Sequence, residues 1–510
     1  MKTLYKSLAL TVAVIGLSSC VNEWLNLDPS TGAPSSSAIV TYNDAKTAMY
    51  GMYDGLQGNS TYTEYYASRM FYYGDVRGDD MQARTQGMRS SSCYEMRYGE
   101  DDAPSIWNVP YNVIRRANRI IEAVDNGAIA DKDDYEAEVN SIYAQAKVVR
   151  ALVHFDLVKI YGMPYTADNG ASLGIPIVTT PLTIDALEGR KTVAEVYTQV
   201  VKDLTDAIDM NALPVSTKPG ENQGYIDQWA AKALLSRVYL YMNNDKGAFD
   251  MAEDVIKNSP YQLWAMNQYA AAWDKSDANH TSEMIFELIN SGSDDWADRE
   301  GIGYLYNEDG YADAICTKSF VDMLSQDAND VRINVILPVQ MKQNEDGTPS
   351  DMYKTYGDNR IFIDKFPMGS EGDMRLQNLP ILRLSEMYLN AAEAAMKLGN
   401  TSDAAYYLNE LIQNRTTTSS QQVTASNVSL ERILLERRKE LVGEGQRFFD
   451  AMRNNETIVR YEDENNKGWH YSLNADSRKF DRTYFRALLP IPVSEVNANS
   501  VLREQQNPGY

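Results

Sequence analysis

The sequence predicts an all-α, mainly helical fold: helical hairpins stacked into an alpha-alpha superhelix and interrupted by long irregular loops. Three observations carry that expectation. Apolar residues recur at helical spacing, as in 111–124, where Val113, Ala117, Ile120, Ile121 and Val124 fall on one face. Helical segments come in pairs joined by short polar turns, Asn243-Asn244-Asp245-Lys246-Gly247 in one case and Leu398-Gly399-Asn400 in another. Alanines stand where helix axes must come close: Ala231 and Ala233 in one pair, and Ala391, Ala392, Ala394 and Ala395 in the other.

The elements follow in order. Residues 1–19 read as an exported leader, with Lys2 and Lys6 as a positive start and an apolar run from Leu8 to Leu17 too short to span a bilayer. Leu17-Ser18-Ser19-Cys20 directly after it resembles the bacterial lipobox, which implies cleavage before Cys20 and acylation of that cysteine. Several acyl chains on one residue anchor a domain that one chain would hold only marginally. Residues 20–40, with the low-complexity run STGAPSSSA, make a flexible tether, and 41–510 the body. Helices are expected over 111–124 and 135–161, the second with Ile142, Ala146, Val149, Val153 and Leu157 inward and Gly162 and Pro164 as its stop. Thr192 and Glu195 form a capping box for a helix that buries Val196, Val200, Leu204 and Ile208. Helices over 229–242 and 248–256 make one hairpin, and 381–397 with 401–415 another. These hairpins look like degenerate tetratricopeptide units, within about 105–260 and 381–453, each burying its apolar face by stacking on the next. Segments 58–105, 163–190, 259–380 and 454–500 lack helical period, and their aromatic content predicts ordered loops.

The stretch LERRKELVGEGQRFFDAMR, 435–453, reads as one helix. Leu434, Leu441 and Phe448 repeat at seven, with Gly445 and Met452 in the same stripe, and Glu440, Glu444 and Arg447 are placed to bridge on its flank. Glycine in a helix costs about 1 kcal/mol relative to alanine. Its presence therefore predicts a second backbone lying against it.

Composition excludes several functions. The net charge is -23, and -25 once Lys2 and Lys6 leave with the leader, which disfavours a nucleic-acid partner. With Cys20 acylated, Cys93 and Cys316 remain, and the sequence leaves open whether they pair. Adjacent acids such as Asp79 with Asp80 or Glu100 with Asp101 suggest a paired-acid hydrolase only weakly, since such pairs in loops are usually solvated. The three histidines, His154, His280 and His470, offer little material for a triad or a metal site, and no nucleophile elbow, zincin motif or phosphate loop is present. The chain is expected to be no enzyme, with no cofactor and no metal.

Four motifs, in order along the chain, resemble one family. They are Trp107-Asn108-Val109-Pro110-Tyr111 with Ala117-Asn118-Arg119-Ile120-Ile121; Arg150-Ala151 with Phe155 and Tyr161-Gly162-Met163-Pro164; Leu382-Arg383 with Glu386, Tyr388, Asn390 and Glu393-Ala394; and 435–453 followed by Leu489-Pro490-Ile491-Pro492 and Gln506-Asn507-Pro508-Gly509-Tyr510. Together they resemble the SusD/RagB family over nearly the whole mature chain. The resemblance implies a lipid-anchored, surface-exposed outer-membrane protein of Gram-negative bacteria, built on four tetratricopeptide-like units. It also implies oligosaccharide capture for a SusC-like, TonB-dependent transporter, without catalysis; the RagB branch takes peptides instead.

Tyrosine outnumbers phenylalanine 34 to 11, which suits wet contact surfaces whose rings stack on a sugar or a peptide side chain. Segment 62–98 carries Tyr62, Tyr65, Tyr66, Tyr72, Tyr73, Tyr94 and Tyr98 around 74–82, and segment 290–311 carries Asn290, Trp296, Tyr304, Tyr306 and Tyr311. These two segments occupy the places from which the family builds its aromatic arc. The expected ligand contacts are Trp296, Tyr304, Tyr306, Tyr94 and Tyr98 by stacking, Arg77, Gln82 and Asn290 as donors, with Arg84 beside them, and Asp79 and Asp80 as acceptors. Trp296 leads, because its polar setting gives it no helical neighbours to pack on.

Overall fold

The computed structural model describes residues 38–58, 65–84, 89–183, 185–292, 300–338 and 361–510. Cys20, Tyr62 and Trp296 lie outside the described residues. The long helices are α1 (Tyr42–Gln57), α2 (Asn108–Asp125), α3 (Glu136–Tyr161), α4 (Val193–Asp209), α5 (Gln228–Tyr241), α6 (Asp245–Asn258), α7 (Leu384–Lys397), α8 (Thr401–Ile412) and α9 (Leu430–Leu441). Each of α1 to α7 packs on the next, and α9 packs on α7, so the frame is the predicted helical stack. Its apolar stripes are the predicted ones: Val113, Ala117, Ile120 and Ile121 of α2 are buried, as are Val196, Val200 and Leu204 of α4. Helix α3 is about 39 Å long at 1.5 Å per residue and is buried on nearly every side from Ala144 to Tyr161, which makes it the central strut.

Caps fix where helices begin. The Thr192–Glu195 capping box is formed, and a second one, Thr41 with Asp44, opens α1. In the two hairpin turns Asn244 accepts from Gly247 N and Asn400 from Asp403 N, each closing an otherwise unpaired helix start. The small residues act as expected: Ala391, Ala392, Ala394 and Ala395 are almost wholly buried, and Ser236 of α5 donates to the Ala248 carbonyl of α6 at 2.9 Å.

Two sequence expectations change. Residues 381–383 are not helical; they end a strand, and α7 begins at Leu384. Strand pairing to Met284 and Phe286 claims this backbone first. The stretch 435–453 is not one helix either: α9 ends at Leu441, and Gly443 (φ +79°) and Gly445 (φ +73°) turn the chain into a short helix, Arg447–Arg453. The left-handed region suits glycine and penalises other residues. The expectation of a close backbone does hold: a Cβ on Gly74 would lie 1.9 Å from the Gly445 carbonyl oxygen. The charged flank pairs elsewhere than among itself, since Glu440 and Glu444 meet Arg383, Arg415 and Lys365, whereas Arg447 meets Asp79 and Glu456.

The loop segments contain short strands: β1 (Met81–Ala83), β2 (Met284–Leu288), β3 (Ala314–Cys316), β4 (Ile336–Pro338), β5 (Ile361–Ile363), β6 (Leu379–Arg383), β7 (Ile458–Val459) and β8 (Lys479–Phe480). Among the described residues they form antiparallel pairs β1/β3, β2/β6, β4/β5 and β7/β8. These clips replace helical stacking where the apolar period is absent. Cys93 and Cys316 are both buried free thiols.

Candidate functional site

The β1/β3 clip brings the two aromatic segments together. Its register pairs Met81 with Cys316 and Ala83 with Ala314, and Arg84 N adds a bond to Asp313 O at 3.0 Å. Thr317 closes the other end, donating its N–H to Asp80 O and its hydroxyl to Asp79 O, each at 2.8 Å. The Asp313 carboxylate then gathers the chain beyond it, accepting from Arg89 N (3.1 Å), Ser90 N (2.9 Å) and the Ser90 hydroxyl.

Next to this clip the short helix Ile302–Tyr306 turns back on itself. Tyr311 N bonds to Tyr304 O at 2.8 Å and Asp313 N to Leu305 O at 2.8 Å. Gly310 makes the reversal possible, because a Cβ there would lie 2.0 Å from Tyr304 O. The Tyr304 and Tyr311 rings consequently meet edge to face, 5.0 Å apart at 88°. Such pairs contribute about 0.5–1.5 kcal/mol beyond their buried area. The Arg89 guanidinium lies 3.7 Å from the Tyr311 ring centroid and is clamped by Glu300 through two bonds, at 2.8 and 2.6 Å. The Glu300 hydrogen bond holds Arg89 firmly protonated, raising it above its ordinary value against a modest cost from burial. Tyr304, Tyr311, Arg89 and Glu300 are all half-buried. The result is a ledge: aromatic surface beside a fixed donor fork and a fixed carboxylate, the chemistry needed to cover one apolar face of a solute and bond its rim.

Most of the residues expected from sequence are elsewhere. Arg77 is fully buried, its guanidinium between the rings of Tyr73 (4.2 Å) and Phe448 (4.3 Å) and donating to Arg486 O. Asp79 pairs with Arg447 at 2.6 Å, and Asp80 takes the Arg438 Nε at 3.0 Å. Burial opposes the charge on Asp79, but Arg447 and Arg438 outweigh it and hold its carboxyl at about 2. That pairing also removes these two acids as a hydrolytic pair. Gln82 donates to Trp469 O at 2.9 Å, Tyr94 bonds His470 Nδ1, and the Tyr98 hydroxyl donates to Arg486 O at 3.2 Å. The Tyr306 hydroxyl donates to Asp75 at 2.8 Å, and Asn290 donates to Gln377 O at 2.9 Å while accepting from Gln57 at 2.8 Å. All of these are buried and hold the irregular segments together; they present nothing to a solute. Tyr304 alone among the described members of the expected set is on the ledge.

Arg89, Glu300 and Asp313 escaped the sequence reading, since no spacing links them; only strand pairing across more than two hundred residues does. The histidines are internal too. Burial pushes His154 down to about 4 and His470 down to about 3; it opposes the charge on His280 too, but the hydrogen bond and the charge of Glu287, with Ala272 O and Asp274, together raise it. Among the described residues no group of His, Cys, Asp and Glu is arranged to hold a metal ion.

A stacked helical frame thus clips two irregular segments into a half-buried aromatic ledge. The chain belongs to the SusD family, whose model matches residues 201–510. A second family, described as starch-binding and associating with the outer membrane, matches residues 23–240. The fold is similar to that of a SusD superfamily protein from Bacteroides thetaiotaomicron, with TM-score 0.82 and 39% identity over 92% of this chain and 100% of that one. A SusD superfamily protein from Bacteroides vulgatus superposes with TM-score 0.79 at 33% identity, covering 92% of this chain and 99% of its own. The SusD-like protein P25 of Formosa agariphila is 24% identical over 98% of both chains.

Proposed function

We propose that this protein is a lipid-anchored receptor at the cell surface that captures oligosaccharides and hands them to a SusC-like, TonB-dependent outer-membrane transporter. The observation that carries the reading is the Tyr304–Tyr311 ledge with the clamped Arg89–Glu300 pair beside it. A tyrosine ring face of this edge-to-face pair takes the C–H face of a sugar, and the guanidinium and carboxylate take its hydroxyls. The matched starch-binding description favours glycan over peptide as the ligand class. Anchoring through Cys20 follows from the lipobox-like sequence, and Trp296 is proposed as a further stacking residue. Binding is reversible, no bond in the ligand is broken, and import is driven by the transporter. Titrating intrinsic tryptophan fluorescence with a panel of oligosaccharides and peptides tests this: saturable change with glycans and none with peptides is expected. Trp296→Ala should weaken that binding without unfolding the protein. Saturation by peptides alone would move the chain to the RagB-like reading, and hydrolysis products in the same tubes would overturn the binding-only role.

A further inference from the structure

A second aromatic feature is built from residues other than those of the ledge. Of the thirteen large apolar side chains exposed among the described residues, five gather along α1: Val40, Tyr50, Tyr135, Tyr225 and Ile289. Contacts link the tyrosines. Tyr42 and Tyr135 stack with centroids 4.5 Å apart and planes at 15°, and Tyr50 meets Tyr225 at 6.2 Å. Lys46 lies between the Tyr42 and Tyr50 rings, 5.9 and 6.0 Å from their centroids. Tyr42, Lys46 and Tyr50 follow one another at i+4, one face of the helix, so each step advances about 6 Å. The row ends at Ile289, packed over Gly224, where a Cβ would lie 2.8 Å from it, in the chain segment that goes on to carry Glu300 and Tyr304. Gln57, at the end of α1, ties that segment down by donating to Ile289 O at 2.6 Å. One position round the helix, Thr47 and Gly51 line a cleft of about 420 Å³ opposite Arg115 and Arg116.

We propose that this row is a second glycan contact, a track that holds an extended polysaccharide while the ledge engages one part of it. The inference rests on the glycan reading above and adds chain length to it. Exposed apolar surface gathered in one place marks an interaction site. The members are chiefly tyrosines, which stack and hydrogen-bond at once. The row carries one charge, Lys46; beside it Asp44 lines the cleft and Arg116 is already paired with Asp54 at 3.2 Å, so ring faces and tyrosine hydroxyls, which suit a hydroxyl-rich chain, are what the row offers. Protein hot spots cluster their aromatics in central, fully desolvated pockets; here Tyr42 and Tyr50 are on α1, Tyr135 and Tyr225 lie beside it, and all four reach solvent. A weak track joined to a second site on the same scaffold raises affinity for long chains by avidity and leaves short ones unaffected.

The test compares wild type with Tyr50→Ala/Tyr225→Ala by affinity electrophoresis and calorimetry. The probes are a panel of polysaccharides, each paired with its trisaccharide, starch with maltotriose and laminarin with laminaritriose among them. The expected result is polymer affinity lowered about tenfold or more, trisaccharide affinity unchanged and melting unchanged. Equal polymer affinity in both proteins overturns the track, as does a matching loss of trisaccharide binding, which would place those tyrosines in the ledge itself. Loss of self-association or of a protein partner with polymer affinity intact would make the row a protein interface. If wild type binds no member of the panel, the glycan reading fails first and the track falls with it.

Discussion

Replacing Glu440 by glutamine removes one charge from the most enclosed part of the frame. Arg332, Lys365, Arg383, Arg415 and Arg432 face Asp330, Glu283, Glu436, Glu440 and Glu444, five cations against five carboxylates. Glu440 is at the centre, accepting from Arg415 Nε at 2.9 Å and Nη2 at 3.0 Å, and from Arg332 and Arg383 at 3.3 Å. Burial opposes its charge, but Arg415, Arg383 and Arg332 together hold its carboxyl well below the ordinary range. Glu440→Gln leaves five cations, four of them buried, with four carboxylates and turns an amide N–H₂ toward guanidinium donors. Breaking a buried pair on one side costs about 3–5 kcal/mol, a large part of the 5–15 kcal/mol that typically stabilises a fold. Urea unfolding followed by circular dichroism reads this as a lower midpoint. Glu431→Gln, exposed in the first turn of the same helix, should change stability by no more than about 0.5 kcal/mol. Equal midpoints for Glu440→Gln and wild type would refute the claim that the frame depends on this cluster.

The other structural predictions follow the same interior. Gly445→Leu forces a side chain into φ +73° and a Cβ to 3.0 Å of Phe71 Cα; about 1–2 kcal/mol for the left-handed backbone and about 1–3 for overpacking should show as a clearly lowered melting temperature. Burial pushes Asp75 up to about 7 against its bonds from Tyr306 and Gly445 N, so the folded state binds a proton that the unfolded state releases above about pH 4, and stability falls as pH rises toward 7. Asp75→Asn should flatten that decline in urea midpoints measured from pH 5 to 8. Glu436 behaves in the opposite sense: burial raises it, Arg332 and Arg432 overcome that and hold it at about 2, and the stability it gives above the ordinary glutamate range is lost as pH falls toward 2. Glu436→Gln should therefore be less stable than wild type at pH 7 and nearly equal to it at pH 2.

The frame was legible because a helical stack writes its period into the chain. Val113, Ala117 and Ile120 recur at the spacing that buries them, and the Thr192–Glu195 cap is complete within four residues. What distant segments decide was not legible. Arg77, Asp79, Asp80 and Gln82 read as a solvated, polar loop, yet their partners Phe448, Arg447, Arg438 and Trp469 lie more than 350 residues away. A paired charge in the interior and a free one on the surface have the same letter. The run Gly443-Glu444-Gly445 hid a turn for a related reason: its apolar neighbours keep the helical period across a break that only the backbone angles reveal. On the ledge, Tyr304 was found by aromatic density, whereas Arg89 and Glu300 depend on the β1/β3 clip, three residues per strand and too short to leave a pattern.

The most direct test of the central claim is the dissociation constant of a short oligosaccharide, chosen from the glycan panel, for wild type and for Tyr304→Ala/Tyr311→Ala. Binding weakened about tenfold or more at an unchanged urea midpoint is the predicted result. Wild-type affinity in the double variant would contradict it, because the ledge would then be structure alone and the ligand would be held elsewhere.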